Sequence, residues 1–140
     1  MTDNRVIYQT AFIRKLEQLG IRYRLADKDV ICFSLAGAAT LPVSYKLSFR
    51  ENRATLVAME LGLFNAATLP AGYQLCSILN SELQWVKFII DRSGRLLCVI
   101  ETVLNSEDVV EEIMELLERI DRALADNELL LRAAQRKRAS

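Results

Sequence analysis

The chain has 140 residues, enough for one domain that buries roughly 70% of its unfolded surface. About half of it is hydrophobic (51%) and a quarter charged (26%), which is a globular composition and excludes a disordered chain. Its 18 lysines and arginines balance its 18 aspartates and glutamates, so no global field draws it to nucleic acid, and with no histidine it lacks the commonest general base and metal ligand.

The start, MTDNRVIYQTAFIRK, carries Asp3 and Arg5 and no long apolar run, so no signal peptide is expected. Residues 3–19 then place Val6, Phe12, Ile13, Leu16 and Leu19 at helical spacing, with Thr2 or Asp3 as N-cap and Gly20 as the stop. In IRYRL, Ile21, Tyr23 and Leu25 alternate with Arg22 and Arg24, the pattern of a half-buried strand. The turn ADKD leads into VICFSL, a second strand with Ile31, Phe33 and Leu35 on one side.

Residues 42–61 form a hairpin. Val43, Tyr45, Leu47 and Phe49 face one way, and Ser44, Lys46, Ser48 and Arg50 face the other. The turn lies around Glu51-Asn52-Arg53. Its length leaves the register open, since two-residue and three-residue loops put opposite faces of ATLVAMEL on the core. A loop is expected from Leu61 to Thr68, then a short helix from about Pro70 to Ser81 that buries Leu75, Ile78 and Leu79. That uncharged stretch is interrupted by Asn65, Pro70, Gly72, Gln74 and Asn80, so it is no membrane span.

LNSELQWVKFIIDRSGRLLCVIETVLN, residues 79–105, is the clearest hairpin. Arg92-Ser93-Gly94 suits a three-residue loop with glycine in the left-handed position, where valine would cost roughly 1–2 kcal/mol in strain. Asp91 then opposes Arg95. Val86, Phe88 and Ile90 face Ile100, Cys98 and Leu96 on the core side. On the other side Ile89 faces Leu97, Lys87 faces Val99, and Trp85 faces Glu101. This second face holds Trp85, Ile89, Leu97, Val99 and Val103 beside Lys87 and Glu101, and is the candidate partner or dimer surface. Either one of the helices covers it, or another chain does.

After the hairpin, Asn105 or Ser106 caps a long helix with the stripe Val109, Val110, Ile113, Leu116, Leu117, Ile120 and Leu124. Its first turns carry Glu107, Asp108, Glu111 and Glu112, and the chain end carries Arg132, Arg136, Lys137 and Arg138, a polarity that suits the helix dipole. Strands in hairpin runs give one α+β domain with an antiparallel β-sheet and the order α-β-β-β-β-α-β-β-α. That domain covers 1–127, with 128–140 a basic helix end or tail.

No constellation for chemistry emerges. Glu111, Glu115, Glu118 and Arg119 share faces of one helix, the arrangement of a solvated acidic surface. Cys32, Cys76 and Cys98 are odd in number and widely spaced, which suits reduced core thiols in a cytoplasmic protein. No GxGxxG or GxxxxGK spacing occurs. RAAQRKRAS lacks the aromatics of a nucleic-acid footprint. Catalytic, cofactor and metal residues are therefore expected to be absent.

Leu79-Asn80, Trp85-x-Lys87-Phe88, Asp91-x-x-Gly94-x-Leu96 and the acidic helix after Asn105 make residues 76–125 resemble the YbjN-like family, also called bacterial sensory transduction regulators. Over residues 1–60 the match is in element order. Members look like type III secretion chaperones in fold, so the resemblance implies a cytoplasmic, non-enzymatic unit that dimerises and binds other proteins, with no catalytic residues to carry over. The alternative is a small enzyme or ligand-binding protein with a pocket between the long C-terminal helix and the sheet.

Overall fold

The computed structural model describes residues 4–36, 42–82, 85–104 and 108–139, with side chains to Ala133. In chain order the elements are α1 (Asn4–Gln18), β1 (Tyr23–Asp27), β2 (Val30–Leu35), β3 (Val43–Arg50), β4 (Arg53–Leu63), α2 (Leu69–Glu82), β5 (Lys87–Ile90), β6 (Arg95–Val103), α3 (Val109–Asp126) and α4 (Glu128–Ala139). The six strands form one antiparallel sheet in the order β1-β2-β3-β4-β6-β5. This is the expected α+β domain and element order, with the last helix divided in two at Asn127.

The sheet is covered on one side. Its inner face presents Ile31, Phe33, Tyr45, Leu47, Phe49, Leu56, Phe88, Leu96, Cys98 and Ile100, and each of the four helices adds buried residues to that same core. Beneath α1 the rings of Phe12, Phe33 and Tyr45 pack in series at 5.5 and 5.6 Å, and Tyr8 meets Phe49 at 6.0 Å. On β4 the inner residues Ala54 and Ala58 are small, which lets the helices over that strand, α4 and α3, approach closely.

The β3–β4 register is settled by a two-residue turn that pairs Arg50 with Arg53. Glu51 takes a φ of 56° there, the positive value the first turn position of a tight hairpin requires. Ala54, Leu56 and Ala58 therefore point inward, and Thr55, Val57 and Met59 point outward. The strand does not end at Leu61 as expected. A bulge with Glu60 at φ 59° lets it run on, so that Gly62 and Leu63 pair with Leu96 and Arg95.

Several helix expectations are corrected. In α1 only Phe12 and Leu16 are buried, while Val6 and Leu19 are exposed because the helix packs on α3 and β3 through its middle turns. Its end is as expected: Gly20 has φ +70°, and the amides of Ile21 and Gly20 donate to the carbonyls of Leu16 and Glu17, a Schellman cap. In α2 the buried face is Gly72, Cys76 and Leu79, so Ile78, one residue off that line, is 52% exposed. Leu25 is exposed as well, since β1 is an edge strand. The cap of α3 is Asp108, whose carboxylate accepts from the Glu111 amide at 3.0 Å. Asn105, Ser106 and the proposed caps Thr2 and Asp3 lie outside the described residues. At the break, the Asn127 side chain donates to the Ala123 carbonyl, and Leu131 of α4 joins the core.

Candidate functional site

The outer face of the sheet is built by strict alternation across registers that run through all six strands. One row reads Arg24, Cys32, Lys46, Val57, Val99, Lys87 from β1 to β5. Beside it Met59 follows Val57 on β4, while Leu97 of β6 opposes Ile89 of β5. None of these residues belongs to the buried core. Ile89 is 45% exposed and Val103 42%, whereas Val57, Met59, Leu97 and Val99 are half-buried. Of the two coverings left open for this face, the described helices do not supply the first.

Ile89, Leu97, Val99 and Val103 of the expected surface do share this face. Trp85 does not join them. The β5–β6 ladder begins at Lys87, two residues later, and Arg119 of α3 stands 5.1 Å above the indole ring, which holds it toward the helices. Val57 and Met59 are the members that sequence reasoning missed. Their outward direction depended on the turn at Glu51, and their place beside β6 on a pairing between strands far apart in sequence.

The ends of the face carry pairs already made. Glu101 meets Arg53 at 3.5 Å, and Asp91 meets Arg95 at 3.5 Å. Asp91 also fixes the hairpin loop, its carboxylate accepting from the amides of Ser93 and Arg95. The Gly94 φ of 83° and the Asp91–Arg95 pairing agree with the expected three-residue loop. By contrast Arg24, Lys46 and Lys87, in the central row, have no ion-pair partner among the described residues.

The opposite edge of the hairpin is closed. The amide of Phe88 donates to the Asn80 side-chain oxygen at 2.7 Å, and the Asn80 amide donates to the Phe88 carbonyl at 2.9 Å. That clamp from α2 occupies the outward main-chain groups of Phe88 on an edge strand.

The groups that could do chemistry are dispersed. Burial pushes the Cys98 thiol up to about 12 and raises that of Cys76, which keeps both protonated and inert at neutral pH. Tyr45 is raised far above the ordinary phenol by burial, with the Asp121 carboxylate adding to it. Glu111, Glu115 and Glu118 are exposed on α3. No group of three or more possible metal ligands occurs among the described residues. No described helix is long and apolar enough to cross a membrane. An open hollow of about 910 Å³ lies at the end of β1–β3, lined by Leu19, Tyr23, Phe33 and Met59 among others.

Cys32 is the exception among the thiols. It was expected in the core, but its register places it outward and half-exposed, between Arg24 and Lys46. In native protein it should react with an aromatic disulfide reagent well before Cys76 and Cys98, which should wait for denaturant. Equal rates at all three would mean the outer face is covered or the register is wrong.

No protein-family model and no curated protein matches the sequence. Solved structures do match. The crystal structure of YbjN from E. coli, described as a candidate transcription regulator, aligns with a TM-score of 0.59 at 17% identity, over 86% of this chain and 91% of that one. A chain of the heterodimeric ExoU–SpcU complex from the type III secretion system of Pseudomonas aeruginosa gives 0.54 at 20%, over 94% and 97%. The type III secretion chaperone SycH of Yersinia pestis, solved with a stable fragment of YscM2, gives 0.51 at 14%, over 84% and 97%. Over most of its length, then, this chain has the α+β fold of the type III secretion chaperones and of YbjN.

Proposed function

We propose that this protein is a non-enzymatic, cytoplasmic, chaperone-like module that binds and regulates other proteins, and that it acts as a homodimer of the YbjN-like kind. The observation that carries the protein-binding part of the reading is the uncovered apolar block Val57, Met59, Ile89, Leu97 and Val99 on one side of the sheet. Contiguous apolar surface of this sort, edged by charge, marks an interaction site. The fold supports the same reading, because two of its solved neighbours are complexes with another protein. The competing pocket between α3 and the sheet has less support. Ile113, Leu116, Leu117, Ile120 and Leu124 fill that seam.

Capture from a lysate of the native host, with wild type and Leu97→Glu as baits, tests the proposal. A protein partner held by the wild type and lost by the folded variant is expected. A co-purifying small molecule with no protein would favour the pocket. Light scattering of the pure protein should give twice the chain mass, and a monomer would remove the homodimer.

A further inference from the structure

The charges on the outer face are not those of a surface that meets its own copy. Lys46 and Lys87 lie in one row, on either side of the Val57–Val99 pair. Neither has an ion-pair partner among the described residues. Arg24 extends the same row on β1. Of the carboxylates beside the apolar block, Glu101 and Asp91 are engaged by Arg53 and Arg95, and Glu60 stands off the row at the β4 bulge. Two copies stacked face to face would set cation rows against each other, with no carboxylate in those rows to answer them.

The spacing suggests what does fit. Lys46 on β3 and Lys87 on β5 are separated by three strand intervals, about 14 Å. An α-helix with its side chains is about 10–12 Å across. A helix lying over β4 and β6 would rest its apolar stripe on Val57, Met59, Leu97 and Val99, with one lysine along each flank. The inner side of the same two strands is already packed by helices, α3 and α4 on β4 and α3 on β6, and α3 is an acidic amphipathic helix. Nucleic acid fits less well, because the apolar residues here are aliphatic and offer no stacking platform.

We propose that the outer face of β4, β5 and β6 docks an acidic amphipathic helix from another protein, one with carboxylates on both flanks of its apolar stripe. This rests on the reading of that face as the binding surface. The probe is a labelled synthetic amphipathic helix of about 18 residues with leucines on one face and glutamates on both flanks, titrated with the full-length protein and followed by anisotropy. Its control replaces every glutamate by lysine.

The glutamate peptide should bind about tenfold more tightly than the lysine peptide, with the preference fading at high salt. The double variant Lys46→Glu/Lys87→Glu, altered only at exposed positions, should reverse the order. Leu97→Glu should abolish binding of the glutamate peptide while leaving circular dichroism and solution mass unchanged. Equal binding of the two peptides, or no response to the lysine reversal, overturns the proposal. So does a stronger response to anionic phosphatidylserine vesicles than to the peptide. If Leu97→Glu turns a wild-type dimer into a monomer, a second copy occupies the face: the acidic helix is wrong, and the docking surface stands. If Leu97→Glu alters neither binding nor mass, both fall.

Discussion

Gly94→Val should cost about 3–4 kcal/mol, read as a large drop in the urea midpoint at unchanged slope. Two effects add. The φ of 83° strains any L side chain by roughly 1–2 kcal/mol. In addition, a Cβ at this position would overlap the Phe64 carbonyl oxygen. Backbone there cannot yield as a flexible side chain would. Moving it breaks the bond from the Phe64 amide to the Gly94 carbonyl, 2.8 Å long, and disturbs Phe64, which is buried against Gly72. Gly20 serves as the control. It has φ 70° but nothing within 4 Å of an added Cβ, so Gly20→Ala should lose only about 1 kcal/mol. Equal losses at the two glycines would refute the role of Phe64.

Asn80→Ala should destabilise by about 2–3 kcal/mol and also change behaviour on warming. The variant leaves the amide and carbonyl of Phe88 without the partners that Asn80 supplies at 2.7 and 2.9 Å, at a strand whose side chain is 1% exposed. An uncapped edge strand is also a template for pairing between chains, so turbidity should rise below the unfolding midpoint. Ser81→Ala, one residue on, removes a solvent-exposed bond to the Ile78 carbonyl and should stay within about 0.5 kcal/mol. Matching losses at Asn80 and Ser81 would show that the clamp contributes nothing.

Local signals carried far. Gly20 is legible as a helix stop and Gly94 as a left-handed loop position because each follows a periodic segment that must stop or turn, and both have positive φ. The α3 stripe was legible for a similar reason, since seven apolar residues at helical spacing can only form one face. Burial within an element was harder. Val6, Leu19 and Ile78 satisfy the helical pattern yet remain exposed, because how far a helix overlaps the sheet is set by its neighbours.

The sequence by itself determined the element order, the two hairpin partnerships and the alternation that gives each strand two faces, all properties of contacts close along the chain. It also determined the overall balance of charge, 18 against 18. Only the tertiary structure decided how that charge is distributed. The order β3-β4-β6-β5 inserts β6 between β4 and the strand that follows it in sequence. That insertion brings Val57 beside Val99 and leaves Lys46 and Lys87 on its flanks, while α3 collects Glu111, Glu115 and Glu118 on the opposite side of the molecule. Neutrality is a sum over residues and carries no direction. A basic, apolar face on a neutral chain arises only when long-range pairing fixes which strands are neighbours.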